Sequence, residues 1–340
     1  MIRYPYDGEG IASLKLLAKK YPRTFLLDLF YKMFRIRLIE ETVAARYHED
    51  KMKTPIHLVI GQEATVVGSC ALLTKDDYIY CSHRTHGAYL AKGGDLNAMI
   101  AEFYCRMTGC TASRGGSMHL MDKSVGMMGS SAIVAGAIPI ATGFSLSAQM
   151  QNNHRKTVVY TGDAGVEEGV AWESMNFAAV RKLPMIYFCE NNFYSVCSPL
   201  HYRQPDNIRI YKKAESFGLK SECIDGNNVL AVYEAMQRAL DYVNNGSGPA
   251  FIEAITYRWR GHHGSEEDMG YRTPEELAHW KTKDPVALLQ QVLIEDFSLP
   301  LSEVEELRQQ ITAEINKAFA FAEQSPHPTR DDLMNYVYCD

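Results

Sequence analysis

The sequence predicts an α/β fold with a mostly parallel central sheet and helices on both faces. Three observations carry this expectation. The run Thr157-Val158-Val159-Tyr160-Thr161 is β-branched and aromatic, as buried strands are. A helical stretch follows from about 167 to 180, with Val170, Met175, Phe177 and Ala178 as apolar positions, until Lys182-Leu183-Pro184 breaks it. Met185 to Cys189 then reads as a second strand, and a strand–helix–strand unit gives parallel strands with a right-handed crossover.

The other elements follow in chain order. Residues 1–24 read as an extended arm, punctuated by Pro5, Gly8, Gly10 and Pro22. Phe25 to about Tyr47 reads as a long helix, because Leu26, Leu29, Phe30, Met33 and Ile36 recur at helical spacing. A second helix is expected from Gln62 to Leu73, and a short strand from Asp77 to Cys81. The Gly- and Ser-rich stretch 109–129 reads as a long functional loop. Small residues between Ile133 and Gln149 point to close backbone packing. Ser195 to Asn207 is a polar loop, Val229 to Val243 a helix, and Ala250 to Thr256 another buried strand. Ser302 and Glu305 have capping-box spacing for a last helix with Val304, Leu307, Ile311, Ile315 and Phe319 on one face. With no repeat or linker in sight, residues 25–340 are expected to form a single domain.

Composition narrows the function. A length of 340 residues, 46% hydrophobic and 22% charged, suits one large soluble core. A net charge of −6 offers no electrostatic case for nucleic acid or acidic membranes. No window is apolar enough to span a bilayer, and residues 1–7 resemble neither a signal nor a transit peptide, so a cytoplasmic chain is expected. The eight cysteines have no paired metal-type spacing; reduced thiols are expected, and a cysteine zinc site is not.

Asp163 and Asn192 fall just past the carboxyl ends of two neighbouring strands, where open α/β sheets bind ligands. A carboxylate, an amide oxygen and a nearby main-chain carbonyl make a low-charge oxygen set suited to Mg²⁺. The helix start after Asp163 would add amide donors for a phosphate. The same residues also fit a capping aspartate and a plain Asn191-Asn192 turn. Arg84 and Arg258 each follow a predicted strand and suit either phosphate capture or a surface ion pair. His86 and His262 are candidates for proton transfer, while His57, His119 and His263 fit structural roles equally well.

Gly162-Asp163-Ala164, a spacer of just under thirty residues, and Asn191-Asn192 together resemble the thiamine diphosphate motif. From Phe25 to Tyr338 the chain looks like an alpha chain of the two-chain 2-oxo-acid dehydrogenases, which act on pyruvate, branched-chain 2-oxo acids or acetoin. The resemblance implies a thiamine-diphosphate-binding fold with N- and C-terminal helical extensions. It implies Mg²⁺ on Asp163, Asn192 and the carbonyl of Tyr194, with cofactor contacts from Arg84, Gly162, Asp163, Ala164, Gly165, Asn192, Arg258 and His262. Ile138 would press on the cofactor rings, and His262 and His86 would be the catalytic histidines. Ala164 stands where the family usually has Gly, which is tolerable only at negative φ. His263 replaces a serine phosphorylated in mitochondrial relatives, so that control should be absent, although Ser265 is close.

The glutamate that activates the cofactor would come from a beta chain, in an assembly of two alpha and two beta chains. The acyl product would pass to a lipoyl-bearing acyltransferase, with pyruvate the expected substrate and acetoin or a branched 2-oxo acid the alternatives. A nicotinamide oxidoreductase fits less well, since no G-x-G-x-x-G follows a strand. A non-catalytic paralogue would have no need of Asp163, Asn192, Arg84, Arg258 and His262.

Overall fold

The computed structural model describes residues 10–205, 207–265, 270–335 and 337. Six strands form one parallel sheet in the order β2-β1-β3-β4-β8-β7. They are β1 (Tyr78–Cys81), β2 (Met127–Ser130), β3 (Thr157–Gly162), β4 (Met185–Asn191), β7 (Lys220–Asp225) and β8 (Ala250–Ile255). A two-residue hairpin, β5 (Tyr194–Ser195) with β6 (Ser198–Pro199), lies between β4 and β7 in the chain.

The pleat sorts the strand residues into two cores. Val158, Tyr160, Ile186, Phe188 and Ile252 face one side, and Val159, Met185, Tyr187, Cys189 and Phe251 face the other. Helices Arg23–Arg46, Glu63–Cys70, Val229–Asn244, Pro285–Phe297 and Leu301–Gln324 contribute to the first core, and Ala137–Met150, Gly169–Arg181 and Ile210–Ser216 to the second. Burial on both faces explains why β3 and β4 read as unbroken apolar runs. From β1 the chain steps outward to β2, and from β3 it steps the opposite way to β4. The carboxyl ends of β1 and β3 therefore flank a crevice at the switch point.

Several elements differ from expectation. Gly10–Ala18 is a helix with Leu14 and Ala18 buried, not extended chain; residues 1–9 of the expected arm lie outside the described residues. The long loop ends in edge strand β2, whose Met-Met-Gly-Ser sequence has little intrinsic strand signal. The other edge strand, β7, was missed because Lys220, Ser221 and Glu222 break up its apolar pattern. Helices Pro274–Lys281 and Pro285–Phe297 were also unread, although Thr273-Pro274 and Asp284-Pro285 are cap-plus-proline starts. The last helix begins at Leu301 behind Pro300, so Ser302 sits inside its first turn and not at its cap.

A buried charge network ties the layers to the crevice. Arg37 donates to Glu63 at 2.6 and 3.0 Å and to Asp284 at 2.9 and 3.2 Å, and its guanidinium lies 4.3 Å from the Trp259 ring centroid. Glu63 also accepts the N–H of Gly61. Gly61 has φ of +97°, and a Cβ there would meet the Tyr257 carbonyl at 2.5 Å, so only glycine fits. Trp259 N–H closes the contact on the Ile60 carbonyl at 3.1 Å. Removing one partner of such a buried pair strands the other charge. Glu63→Gln is expected to cost on the order of 3 kcal/mol, read as a lower urea midpoint at unchanged m-value.

Candidate active site

The crevice at the switch point holds a cavity of about 170 Å³. Its walls come from the loop after β1 (Ser82, His83, Arg84), the turn after β3 (Gly162 to Gly165) and the segment after β4 (Asn192, Tyr194 to Val196). His57, Gln62, Glu190, Val134, Ala135 and His262 complete most of the rest.

Parallel register sets the oxygen groups side by side. Gly162 pairs with Glu190, so Asp163 and Asn192 emerge one and two residues beyond adjacent positions on neighbouring strands. Asp163 is 1% exposed. The side-chain oxygen of Asn192 accepts the N–H of Tyr194 at 3.1 Å, which leaves its second lone pair free. Asn191 turns inward instead, donating to Glu253 at 2.7 Å. Ala164 has φ of −70°, so its methyl group is unstrained. The glycine requirement falls on Gly165, where a Cβ would sit 2.1 Å from the Thr161 hydroxyl.

Asp163 is not bare. Arg203, from the short helix Leu200–Arg203, forms an ion pair with its carboxylate, reaches Glu167 at 2.5 Å, and donates to the Ser198 carbonyl at 3.2 Å. The expected polar loop 195–207 thus lays a guanidinium across the carboxylate.

Across the cavity, positive charge is buried without a direct ion pair among the described residues, although the Glu190 and Glu40 carboxyls are near Arg84. Arg84 donates to the carbonyls of Leu58 and His262, and Arg258 to those of Arg260 and Val196. Among the described residues neither makes an ion pair with a carboxylate, and the Nε of Arg258 has no hydrogen-bond partner there. Burial and the neighbouring Arg258 push the Arg84 pKa down to about 9. The same surroundings act on the histidines. Burial, with Arg84 next, lowers His83 and His262 to about 3 each and pushes His57 down further still. All three rings are neutral near pH 7.

Two expected site residues lie elsewhere. His86 is wholly buried; its Nδ1 bonds Glu40 and its Nε2 bonds Ser117, each at 2.7 Å, so neither nitrogen faces the cavity. Ile138 is also wholly buried, because the helix Ala137–Met150 turns it into the core beside Val159 and Tyr187. The branched aliphatics that do line the cavity are Val134, 51% exposed and just ahead of that helix, and Val196. Two lining residues went unread. Glu190 is a carboxyl raised to about 7 by burial, against the opposing hydrogen bond from Thr65 at 2.5 Å. A charged residue ending the run Met185 to Cys189 was the available signal. Both polar atoms of Gln62 are buried without partners.

The sequence profile of the dehydrogenase E1 component family matches residues 31–331. The chain belongs to that family. Within it, the chain is of the alpha type of the thiamine-diphosphate-dependent 2-oxo-acid dehydrogenases. It is similar to the alpha subunit of acetoin:2,6-dichlorophenolindophenol oxidoreductase of Bacillus subtilis (strain 168), at 33% identity over 92% of this chain and 93% of that one. It is 34% identical to the chloroplastic pyruvate dehydrogenase E1 component subunit alpha-3 of Arabidopsis thaliana, over 92% and 74%. The pyruvate dehydrogenase E1 component subunit alpha of Rickettsia bellii is 31% identical over 96% and 99%. Thiamine diphosphate, the cofactor of this family, fits the groups at the site. The unpartnered side-chain nitrogens of Arg258 and Gln62 are donors awaiting an anion, and Arg203 already holds a positive charge against Asp163.

Lowered histidine pKa values mean that the unfolded chain binds more protons than the folded one between about pH 3 and 6.5. This contribution is complete above about 6.5 and is lost as pH falls through that window. Lowering pH from about 7 to about 5 should depress Tm more in the wild type than in a His83→Gln/His262→Gln variant. Inorganic pyrophosphate, by offsetting the two guanidinium charges, should reduce that acid sensitivity.

Proposed function

We propose that the chain is the alpha subunit of a Mg²⁺-dependent, pyruvate dehydrogenase-type enzyme that decarboxylates a 2-oxo acid. It would work with a beta chain, two of each, and pass the acyl group to a lipoyl-bearing acyltransferase. The observation that carries this reading is the buried guanidinium of Arg84 in the wall of the cavity that Asp163 and Asn192 line, with the buried Arg258 beside it and, among the described residues, no carboxylate ion-paired to either. Buried charge of one sign calls for a bound group of the other.

In this reading Asp163, the side chain of Asn192 and the carbonyl of Tyr194 would hold Mg²⁺, an oxygen set of the kind that ion prefers. Arg84 and Arg258 take the diphosphate, with the main chain of Gly162, Ala164 and Gly165 beside it. Val134 takes the bearing role expected of Ile138. When bound, thiamine diphosphate supplies the electron sink; the chain supplies anchoring, orientation and proton-handling groups. His262, neutral and in the cavity wall, would accept a proton once a bound anion offsets the arginine charges that help lower its pKa; His86 holds Glu40 and Ser117 together instead.

Among the described residues Glu63 is locked to Arg37 and the cavity-lining Glu190 accepts the Thr65 hydroxyl, which is consistent with an activating glutamate from the beta chain. Ile133, Val134, Val196 and Tyr202, exposed near the cavity, together with Ile140, Phe177 and Val180 on the two helices of that face, offer an apolar surface for such a partner. No helix among the described residues is long and apolar enough to cross a membrane. An acetoin-cleaving enzyme is the second reading, supported by the similarity to the Bacillus subtilis protein over nearly its whole length.

Asp163→Asn should weaken Mg²⁺-dependent binding of thiamine diphosphate by more than about tenfold, measured by calorimetry on the alpha–beta complex. Unchanged affinity would remove the metal assignment. Arg203→Gln should strengthen the same binding by roughly threefold to tenfold, since a competing contact worth about 1 kcal/mol is gone. Dye reduction by the purified pair with pyruvate, a branched 2-oxo acid and acetoin in turn decides the substrate.

A further inference from the structure

His57, His83 and His262 come from three distant parts of the chain and meet in the cavity wall. Their ring centroids are 4.7, 4.9 and 5.2 Å apart, and one ligand nitrogen from each lies within 4.8 Å of the other two. His57 is 6% exposed, and its Nδ1 has no hydrogen-bond partner. A buried polar nitrogen left unpaired is costly, so it marks a place built for a bound group.

We propose that this trio is a second cation site, selective for a borderline divalent ion of the Zn²⁺ class and distinct from the oxygen site at Asp163. Three imidazoles with an open fourth position make a nitrogen set that suits zinc, cobalt or nickel and repels Mg²⁺, which prefers oxygen. Zinc–nitrogen bonds of about 2.0–2.1 Å in a tetrahedron need nitrogens about 3.4 Å apart, so modest ring rotations close the set. His83 and His262 are only partly buried and have room to make them. The open fourth position faces the cavity, where water can fill it.

Arg84 and Arg258 oppose a cation here, so binding is weaker than at a structural zinc site and strengthens when an anion occupies the cavity. Occupancy ties up His262 and blocks the wall it forms. The site is therefore inhibitory, a route by which a thiophilic metal would shut the enzyme without touching the Mg²⁺ position.

The test uses Co²⁺ as a visible probe on the full chain, with excess Mg²⁺ and no thiamine diphosphate, so it stands apart from the proposed reaction. One equivalent of Co²⁺ should give the intense d–d absorption of tetrahedral nitrogen coordination, and Zn²⁺ should bleach it. His83→Phe should weaken Co²⁺ binding at least about tenfold, and His262→Gln should do the same as a check against a folding defect in either variant. His263→Ala, whose ring is 6.1 Å from His57 and outside the trio, should leave it unchanged. A purely octahedral spectrum, or a tetrahedral one that survives in both trio variants, overturns the proposal.

Discussion

The structure turns on an electrostatic imbalance held at the tips of a buried sheet. Arg84 and Arg258 are sunk into the protein with main-chain carbonyls as their hydrogen-bond acceptors among the described residues, and burial together with their charge lowers the pKa of Arg84, His83 and His262. A folded chain tolerates such an arrangement only where it is offset elsewhere, because desolvating a charge without a counter-ion costs several kcal/mol. Here the offset comes from a large two-sided core and from the Arg37–Glu63–Asp284 network beneath the site. The network pins the 56–62 segment, which carries His57 and Gln62, against the strand-end segment that carries Arg258. Fold and site are coupled through that one clamp.

The sheet does the remaining work of placement. Because the chain leaves β1 and β3 in opposite directions, no helix covers the gap between their carboxyl ends, and the residues that follow them share one crevice. Register then decides the fine placement: Gly162 opposite Glu190 sets Asp163 and Asn192 beside each other without any contact between their own side chains. Asn191 and Asn192 show how sharply this acts. One residue points to Glu253 in the core and the next to the cavity, by the alternation of a strand that has just ended.

What was legible in the sequence follows from range. Asp163, Asn192 and Gly162 could be read because strand, turn and helix start are all local and their signals lie within a few residues. Ile138 was misplaced for a reason of geometry: it and Val134 are both aliphatic, four residues apart, and only the start of the helix at Ala137 decides which faces the crevice. His86 looked catalytic because its neighbours in sequence are. Its actual partners, Glu40 and Ser117, lie 46 and 31 residues away, and no local pattern points to them. Strands β2 and β7 escaped notice since edge strands need only one apolar face or none, and their pairing partner supplies the order that their own residues do not.

Arg203 is the residue that joins these strands of reasoning. It had no signal in the sequence, sitting in a polar loop after a hairpin, yet its guanidinium lies where charge balance at Asp163 requires a cation. The carboxylate is 1% exposed and would be costly to leave unpaired, so the cofactor-free chain needs some positive group there. A side chain can serve without committing the backbone: Arg203 also contacts Glu167, which would remain as its partner if Asp163 were given up. If Asp163 holds a metal, as proposed, exchange of guanidinium for metal would leave no buried charge stranded at either stage. On the opposite wall the guanidiniums of Arg84 and Arg258 have no such substitute, and there the imbalance persists until an anion arrives. The two walls are thus complementary in sign and unequal in readiness, and on the proposed reading this would order the filling of the site: a phosphate would be drawn by an unmet charge, and a metal would have to displace a contact already made.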